Sequence, residues 1–332
     1  MKTSILRLLL CCCFISSSAA LAAADSAPAP AALVAADSAP APAALISSTG
    51  PTFEGCPVFP ADNELNRDIS RDPVDSRSAE YLAHMEAGHF KLHPDFGAPQ
   101  YGVPFTVVGG SQARVPMRFA YTDSDPGPYP FPLDLFIQGG PRGTGDRHAI
   151  VFDRGECKLY ETYATSRSGN GFAALSGAVF NLRSNQLRPE HWTSATASGL
   201  PIFPLMARYD EVAEQGVIRH ALAFEATSTA HSYVHPATHS SGTSAASSAP
   251  PMGTRVRLSK GFNLSRYHGQ SLVILTALKK YGMLLIDNQG APFWALAGAQ
   301  DPRWNGPDLE QLKTVPASAF EVIKLPQLHS GQ

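Results

Sequence analysis

The sequence predicts a mainly β protein: an antiparallel β-sandwich or jelly-roll-like single domain with a few short helices. Short apolar segments rich in β-branched and aromatic residues recur along the chain, which is typical of strands. Proline and glycine, 28 and 27 of the 332 residues, are scattered between these segments and divide the chain into short elements. Short strands separated by turns every eight to twelve residues or so are typical of β-sandwiches.

The predicted strands are short and are separated by turn-forming residues. They are residues 105–108, 115–121, 148–153, 158–163, 177–181, 218–225, 232–235, 255–258, 283–286 and 293–297. Predicted helices are few: residues 78–87 with Ser76 as N-cap, residues 270–281 ended by Gly282, and a short helix near Pro307.

Composition divides the chain into regions of different character. Residues 1–24 have a positively charged start, an apolar run and a small-residue end, which are the parts of a secretory signal peptide. Residues 25–50 are a Pro/Ala-rich linker, since segment 24–33 recurs as residues 36–45 and alternating proline and alanine favours extended chain. We therefore expect a secreted, extracellular protein whose residues 51–332 form a single β-rich globular domain.

Charge and hydropathy disfavour two classes of partner. The formal net charge is −2 and no basic block follows the chain, so nucleic acid is not expected as a partner. After the signal peptide, no apolar stretch approaches the roughly 20 residues that a membrane-spanning helix needs. We therefore expect no membrane association once the signal is removed.

The cysteines predict a disulfide bond. Three of the five lie in the predicted signal peptide, which leaves Cys56 and Cys157. Two remaining cysteines in an oxidising compartment most simply pair with each other.

A predicted hairpin around Arg154 and Gly155 supplies the first candidate site. A two-residue loop at this point pairs His148 with Glu161. Alternation places both side chains on the mainly apolar face, where polar groups need hydrogen bonds or a cleft. We therefore interpret Glu161 and His148 as candidate catalytic residues, with Asp146 beside them.

A second histidine, His220, shares the apolar face of the predicted strand 218–225. The segment before this strand contains Arg208 and Asp210, and these three residues complete the candidate catalytic set.

A third histidine group has a spacing of four residues: His231, His235 and His239. It could hold zinc, but Pro236 interrupts the strand and no carboxylate partner is evident. No standard zinc signature is present, so we expect no metal and no cofactor. His239 remains a candidate substrate-binding residue because it precedes a Ser-rich loop, residues 240–251.

Several blocks resemble those of a group of secreted, mostly hypothetical microbial proteins. They include Gly145-Asp146-Arg147-His148 and residues 277–283 followed by Asp287-Asn288. The resemblance covers nearly the whole domain, and it implies a single exported domain without implying any activity.

Export and a large β-rich domain favour a secreted carbohydrate-active enzyme, by analogy at the level of the fold. The hypothesis is a glycoside hydrolase that cleaves an extracellular polysaccharide or oligosaccharide with a carboxylate pair, Glu161 with Asp146 or Asp210. Aromatic and polar side chains expected to bind the sugar are Tyr160, Tyr233, Trp192, Trp294 and His239.

Alternative functions stay open. A polysaccharide lyase would use His148 or His220 as base, a tyrosine as acid and Arg208 to neutralise a substrate carboxylate. A non-catalytic glycan-binding surface protein would use the same aromatic residues as a binding groove. A metal-dependent hydrolase of another bond would require bound zinc.

Overall fold

Short strands predominate in residues 50–98 and 101–331, the part of the chain that the computed structural model describes, and the predicted mainly β fold is confirmed. The strands in chain order are β1 (Thr52–Phe53), β2 (Cys56–Pro57), β3 (Leu92–Pro94), β4 (Phe105–Val108), β5 (Met117–Phe119), β6 (Ala149–Asp153), β7 (Lys158–Tyr163), β8 (Ser166–Ser168), β9 (Gly171–Ala174), β10 (Ser176–Asn181), β11 (Leu222–Ala226), β12 (Ser232–Val234), β13 (Arg255–Leu258), β14 (Met283–Asn288), β15 (Trp294–Leu296), β16 (Phe320–Val322) and β17 (Leu328–Ser330). The α-helices are α1 (Ser78–His84), α2 (Gly269–Lys280) and α3 (Gly306–Leu309). Short 3-10 helices cover Glu64–Asn66, Phe203–Leu205, Glu310–Thr314 and Ala317–Ala319, and a π-helical turn covers Asp210–Glu214.

A six-stranded sheet and a four-stranded sheet form the framework. Their strand orders are β16-β13-β14-β11-β15-β3 and β10-β7-β6-β4. Both sheets are mixed rather than purely antiparallel, because β11 with β14, β15 with β3 and β4 with β6 run parallel. Parallel neighbours need long crossover connections, and the segment between β11 and β14 includes α2.

The four-stranded sheet buries apolar side chains on both faces. Ile150, Phe152 and Leu159 face a large core that also contains the central strands of the six-stranded sheet. Val151 and Tyr160 face a smaller core on the other side. The two main sheets therefore enclose one shared core, and all described residues belong to one compact unit.

The predicted hairpin exists, but its register is wrong. Asp153 pairs with Lys158 and Ile150 pairs with Glu161, so the turn is longer than the predicted two residues. Cys157 adopts a φ of 49°, a left-handed conformation within this longer turn. A shift of two residues keeps each side chain on its predicted face but removes the predicted pairing of His148 with Glu161.

The predicted N-cap of α1 is also wrong. Arg77 occupies the cap position without a side-chain cap bond. The side chain of Asp75 accepts a hydrogen bond from the Arg77 N–H at 2.8 Å, so an Asx turn at Asp75 leads into the helix instead of Ser76.

The predicted disulfide bond is confirmed. Cys56 and Cys157 are bonded, with a Cα–Cα distance of 5.5 Å, and both are buried. The predicted signal peptide, and the predicted linker up to residue 49, lie outside the described residues. None of the helices in the described part of the chain combines the length and apolar character needed to cross a bilayer.

Candidate active site

Two carboxylates meet at the carboxyl ends of neighbouring parallel strands in the six-stranded sheet. Glu225 near the end of β11 pairs with Asp287 near the end of β14. Phe224 pairs with Leu285, so the register shifts by one residue between Phe224 and Glu225. Such a bulge re-aims the side chains that follow it. Without the bulge, Glu225 would pair with Ile286 instead.

Residues paired with Glu225 across the sheet extend this position to two further strands, β15 and β3. Ala295 of β15 pairs with Glu225, and His93 of β3 pairs with Ala295. Paired residues on adjacent strands project to the same face, so His93, Glu225 and Asp287 share one face. Asp95 follows immediately after β3, and its N–H donates to the carbonyl of Leu296 at 3.0 Å.

The four-stranded sheet brings further polar residues to this place. Asp146 and His148 immediately precede β6, and Tyr163 ends β7. The rings of His148 and Tyr163 have centroids 5.9 Å apart. The carbonyl of Asp146 accepts a hydrogen bond from the N–H of Ala164 at 2.8 Å, which fixes the backbone of Asp146 beside the end of β7.

A cavity of about 460 Å³ opens beside Asp287 and Tyr163. One continuous segment of its wall is residues 193–197, whose hydroxyl groups are held by local hydrogen bonds such as Ser194 Oγ to the carbonyl of Leu200 at 2.6 Å. The other lining residues are Tyr121, Asp123, Ser176, His239 and Ser241. None of these lining residues is lysine or arginine, so the cavity offers hydroxyl groups, carboxylates and an imidazole.

Asp287 is held rigidly at the cavity. Its Oδ2 accepts a hydrogen bond from the N–H of Ala197 at 3.0 Å, and its Oδ1 accepts one from the N–H of Asn288 at 2.8 Å. His239 donates from Nδ1 to the carbonyl of Ala197 at 2.7 Å. The backbone N–H and carbonyl of Ala197 therefore bind the carboxylate and the imidazole, respectively.

The two paired carboxyl groups have different pKa values. Burial raises the pKa of Glu225 to about 8, and the negative charges of Asp287, Asp146 and Asp95 add to this effect. Burial also raises the pKa of Asp287, to about 6, against the two backbone hydrogen bonds that stabilise its ionised form. Near pH 7 Glu225 is therefore a proton donor while Asp287 is an anion.

Neutral imidazoles complete the cluster. Burial lowers the pKa of His148 and of His93, against the opposing influence of nearby carboxylates. The Nδ1 atoms of both histidines are buried and have no hydrogen-bond partner within the described residues. Each ring therefore keeps a hydrogen-bonding atom that a ligand could satisfy.

The structure brings three of the sequence-selected residues, Asp146, His148 and His239, to this cluster. The pKa values of Glu225 and Asp287 are both raised in part by the charge of Asp146, which therefore belongs to the same electrostatic group. We refer to Glu225, Asp287, Asp146 and Asp95 as the carboxylate cluster.

Glu161 lies elsewhere. It is fully buried, and its carboxylate accepts hydrogen bonds from the N–H groups of Ile202 and Phe203 at 2.8 to 3.0 Å. Burial raises its pKa to about 7. These hydrogen bonds fix the start of the short helix at Phe203–Leu205. The predicted pairing of Glu161 with His148 is wrong, because Glu161 pairs with Ile150.

Arg208, Asp210 and His220 form a separate buried network rather than part of the cavity. Glu211 accepts a hydrogen bond from the Arg208 guanidinium at 2.7 Å and contacts His220 Nε2 at 3.0 Å. His220 Nδ1 donates to the carbonyl of Ala221 at 2.7 Å, and Asp210 lies 3.4 Å from Arg208. The inward histidine is thus a hydrogen-bonded structural residue.

Most of the aromatic residues expected to stack on sugar are inaccessible. Tyr160, Tyr233 and Trp294 are buried, with exposures of 2, 1 and 0%. Trp294 donates from Nε1 to the carbonyl of Met85, and Tyr160 packs against Tyr129 in the smaller core. Trp192 is partly exposed and lies under the Arg188 guanidinium, directly before the cavity-lining Thr193.

Sequence reasoning missed Glu225 and Asp95 and did not select Asp287. A signal was present, because an apolar strand runs directly into an acidic residue in both Leu222-Ala223-Phe224-Glu225 and Leu284-Leu285-Ile286-Asp287. That signal gains meaning only when the two strands are parallel neighbours, since only then do their carboxyl ends meet.

Comparison with protein-family models, with curated proteins and with solved structures gave no match for this chain.

Proposed function

We propose that this protein is a secreted glycoside hydrolase in which Glu225 is the general acid and Asp287 is the second catalytic carboxylate. The observation that carries the proposal is their direct pairing, with pKa values of about 8 and about 6. Glycoside hydrolysis needs one protonated and one ionised carboxyl group that face the same bond. Different environments for two neighbouring acids are how one site provides both.

Strand geometry supports a retaining mechanism. Neighbouring strands lie about 4.8 Å apart, so the backbone positions that carry Glu225 and Asp287 are separated by about this distance. Retaining enzymes have a carboxyl separation of about 5 to 5.5 Å, whereas inverting enzymes need about 6.5 to 9.5 Å to accommodate water. In this mechanism Asp287 attacks the anomeric carbon while Glu225 protonates the leaving oxygen, and Glu225 then deprotonates the incoming water.

The charge of the cluster favours a neutral or cationic glycan. Asp146 and Asp95 add negative charge beside the pair, and the residues lining the cavity include no lysine or arginine. A polyanionic sugar would be repelled, whereas hydroxyl or amino groups would find acceptors on the cavity wall. The proposed substrate is therefore an extracellular polysaccharide of neutral or amino sugars.

A lyase is the second candidate, because the rings of His148 and Tyr163 lie 5.9 Å apart at the same site. A lyase acting on an acidic polymer also needs a cation to neutralise the substrate carboxylate. Arg208, which the sequence nominated for this task, is buried against Glu211. The hydrolase hypothesis gives roles to the paired carboxylates Glu225 and Asp287, which the lyase hypothesis does not use.

The experiment is a screen of the purified domain, residues 51–332, against neutral, cationic and acidic polysaccharides. We expect new reducing ends from a neutral or cationic polymer, with retention of anomeric configuration by NMR. The variants Glu225→Gln and Asp287→Asn should each lose at least about a hundredfold in kcat, while Glu86→Gln on the surface should be unaffected.

Three results would redirect the assignment. An unsaturated product absorbing in the ultraviolet would identify a lyase. Polysaccharide binding without turnover in any assay would identify a binding protein. Full activity of Glu225→Gln would remove the proposed acid.

A further inference from the structure

A second polar cluster lies where β12 pairs with the C-terminal strand β17. Tyr233 pairs with His329 across these strands, and His235 follows Tyr233 by two residues. Side chains two apart on a strand, and those paired across strands, share a face. The ring centroids of His235 and His329 are therefore only 4.3 Å apart, and Glu190 approaches them from a distant loop.

The donor atoms of Glu190, His235 and His329 converge. One ligand atom from each lies within 4.8 Å of the other two. Ligands of a tetrahedral zinc ion, with bonds of about 2.0 to 2.2 Å, are separated by about 3.3 Å. His235 Nε2 and Glu190 Oε1 are 2.6 Å apart and would have to separate slightly. Both side chains are at least 39% exposed, so this movement is open to them.

The surroundings of the cluster suit a metal ion. The Tyr233 hydroxyl donates to Glu190 Oε2, which leaves Oε1 directed towards the histidines. Tyr233 itself is buried, so its hydroxyl approaches Glu190 from the protein side of the cluster. Partners of this kind orient the ligands of metal sites and raise their affinity.

The histidine pair leaves ring nitrogens available to a ligand. The two imidazole rings stack with their centroids 4.3 Å apart. Neutral imidazole nitrogen is the form that binds metal. Within the described residues, neither ring nitrogen of His329 makes a hydrogen bond, and its ring stacks on Tyr233 and His235.

We propose that Glu190, His235 and His329 bind a divalent transition-metal ion, with zinc the natural choice for two imidazoles and a carboxylate. Three protein ligands leave a fourth position for water. His235 also lines a groove of about 700 Å³ together with Phe180, Leu187 and Pro236. The ion would join the loop at Glu190, β12 and β17, and so fasten the C-terminal strand to the domain.

Zinc titration tests this site independently of any glycosidase activity. Purified protein, free of affinity tags and treated with chelator, is titrated with ZnCl₂ by calorimetry, and Co²⁺ is used as a spectroscopic probe. We expect one tight equivalent of Zn²⁺ and visible bands of low-symmetry Co²⁺. His329→Ala and Glu190→Gln should each weaken binding at least tenfold.

The matched control is His231→Ala, because His231 immediately precedes β12 but lies outside the cluster. This variant should bind zinc as the unaltered protein does. Saturating zinc should also raise the Tm of the protein and of this control by several degrees, but not that of His329→Ala. Absence of a tight equivalent, or equal affinity in His329→Ala with a folded far-ultraviolet spectrum, would overturn the proposal.

Discussion

Glu225 and Asp287 are direct partners on adjacent parallel strands, and a single-residue bulge after Phe224 creates that pairing. Both residues end apolar strand segments whose preceding side chains are buried. Each carboxyl group is therefore desolvated by the core behind it while it faces its neighbour. This position explains why the pKa values of both are raised, and why that of Glu225, with no hydrogen bond to its carboxyl group in the described residues, is raised most.

The first prediction concerns the pH dependence of activity. A hydrolase that needs Asp287 ionised and Glu225 protonated should have a bell-shaped profile of kcat/KM, rising near pH 6 and falling near pH 8. The two limbs belong to the coupled pair rather than to either residue alone. Initial rates across pH 4 to 10 or so would measure them. A profile without a falling limb would contradict Glu225 as the acid.

The second prediction concerns stability. Since the folded protein raises the pKa of Glu225 from 4.5 to about 8, it holds this proton more tightly than the unfolded chain. The contribution of Glu225 to the free energy of unfolding is complete below about pH 4.5 and is lost as pH rises through 8. Glu225→Gln removes that loss. We expect it to be more stable than the unaltered protein at alkaline pH, by on the order of 2 kcal/mol.

Urea denaturation of Glu225→Gln at acid and alkaline pH measures this difference. Glu86→Gln, which changes an exposed carboxylate, serves as the control and should show no such gain. Equal stability of Glu225→Gln and the unaltered protein at both pH values would mean that ionisation of Glu225 does not destabilise the folded protein.

The third prediction separates Glu161 from catalysis. A glutamine at this position has one acceptor oxygen and presents an N–H₂ group where the second oxygen accepts the N–H of Ile202 at 2.8 Å. We expect Glu161→Gln to lower the free energy of unfolding by about 1 to 3 kcal/mol. Its kcat, measured per folded molecule, should stay within a fewfold of the original. A hundredfold loss of kcat with unchanged stability would instead indicate that Glu161 is a catalytic residue.

The fourth prediction concerns the disulfide bond. Cys56 and Cys157 are separated by 101 residues, and closing a loop of this length restricts the unfolded chain. Replacing both by serine should lower the free energy of unfolding by about 4 kcal/mol in the chain-entropy model. Chemical denaturation of the double variant beside the oxidised and reduced protein measures the loss. A change below about 1 kcal/mol would show that the unfolded chain is compact without the bond.

Local sequence patterns predicted individual strands well. The bounds predicted for residues 105–108, 158–163 and 255–258 agree with β4, β7 and β13. The His148 hairpin shows where such reasoning fails. The turn residues Arg154 and Gly155 suggested a two-residue loop, but the pairing partner of a residue depends on the whole turn.

The site was predictable only in part. His148, with Asp146 beside it, was selected through a predicted pairing with Glu161 that is wrong, and His239 was selected because it precedes a Ser-rich loop. Glu225 was missed because the sequence favoured antiparallel pairing, in which the ends of β11 and β14 would lie at opposite edges. Glu190 was missed as a partner of His235 because 45 residues separate them, and only folding brings them together.

The sequence by itself determined the mainly β class, because composition and turn residues are local properties of the chain. It also determined the pairing of the cysteines, because only two cysteines lie outside the predicted signal peptide. Tertiary structure decided which polar residues meet. Strand order, parallel direction and the bulge after Phe224 bring Glu225 beside Asp287, and the C-terminal strand brings His329 onto His235. These contacts depend on long-range pairing, and a local pattern contains no information about the partner strand.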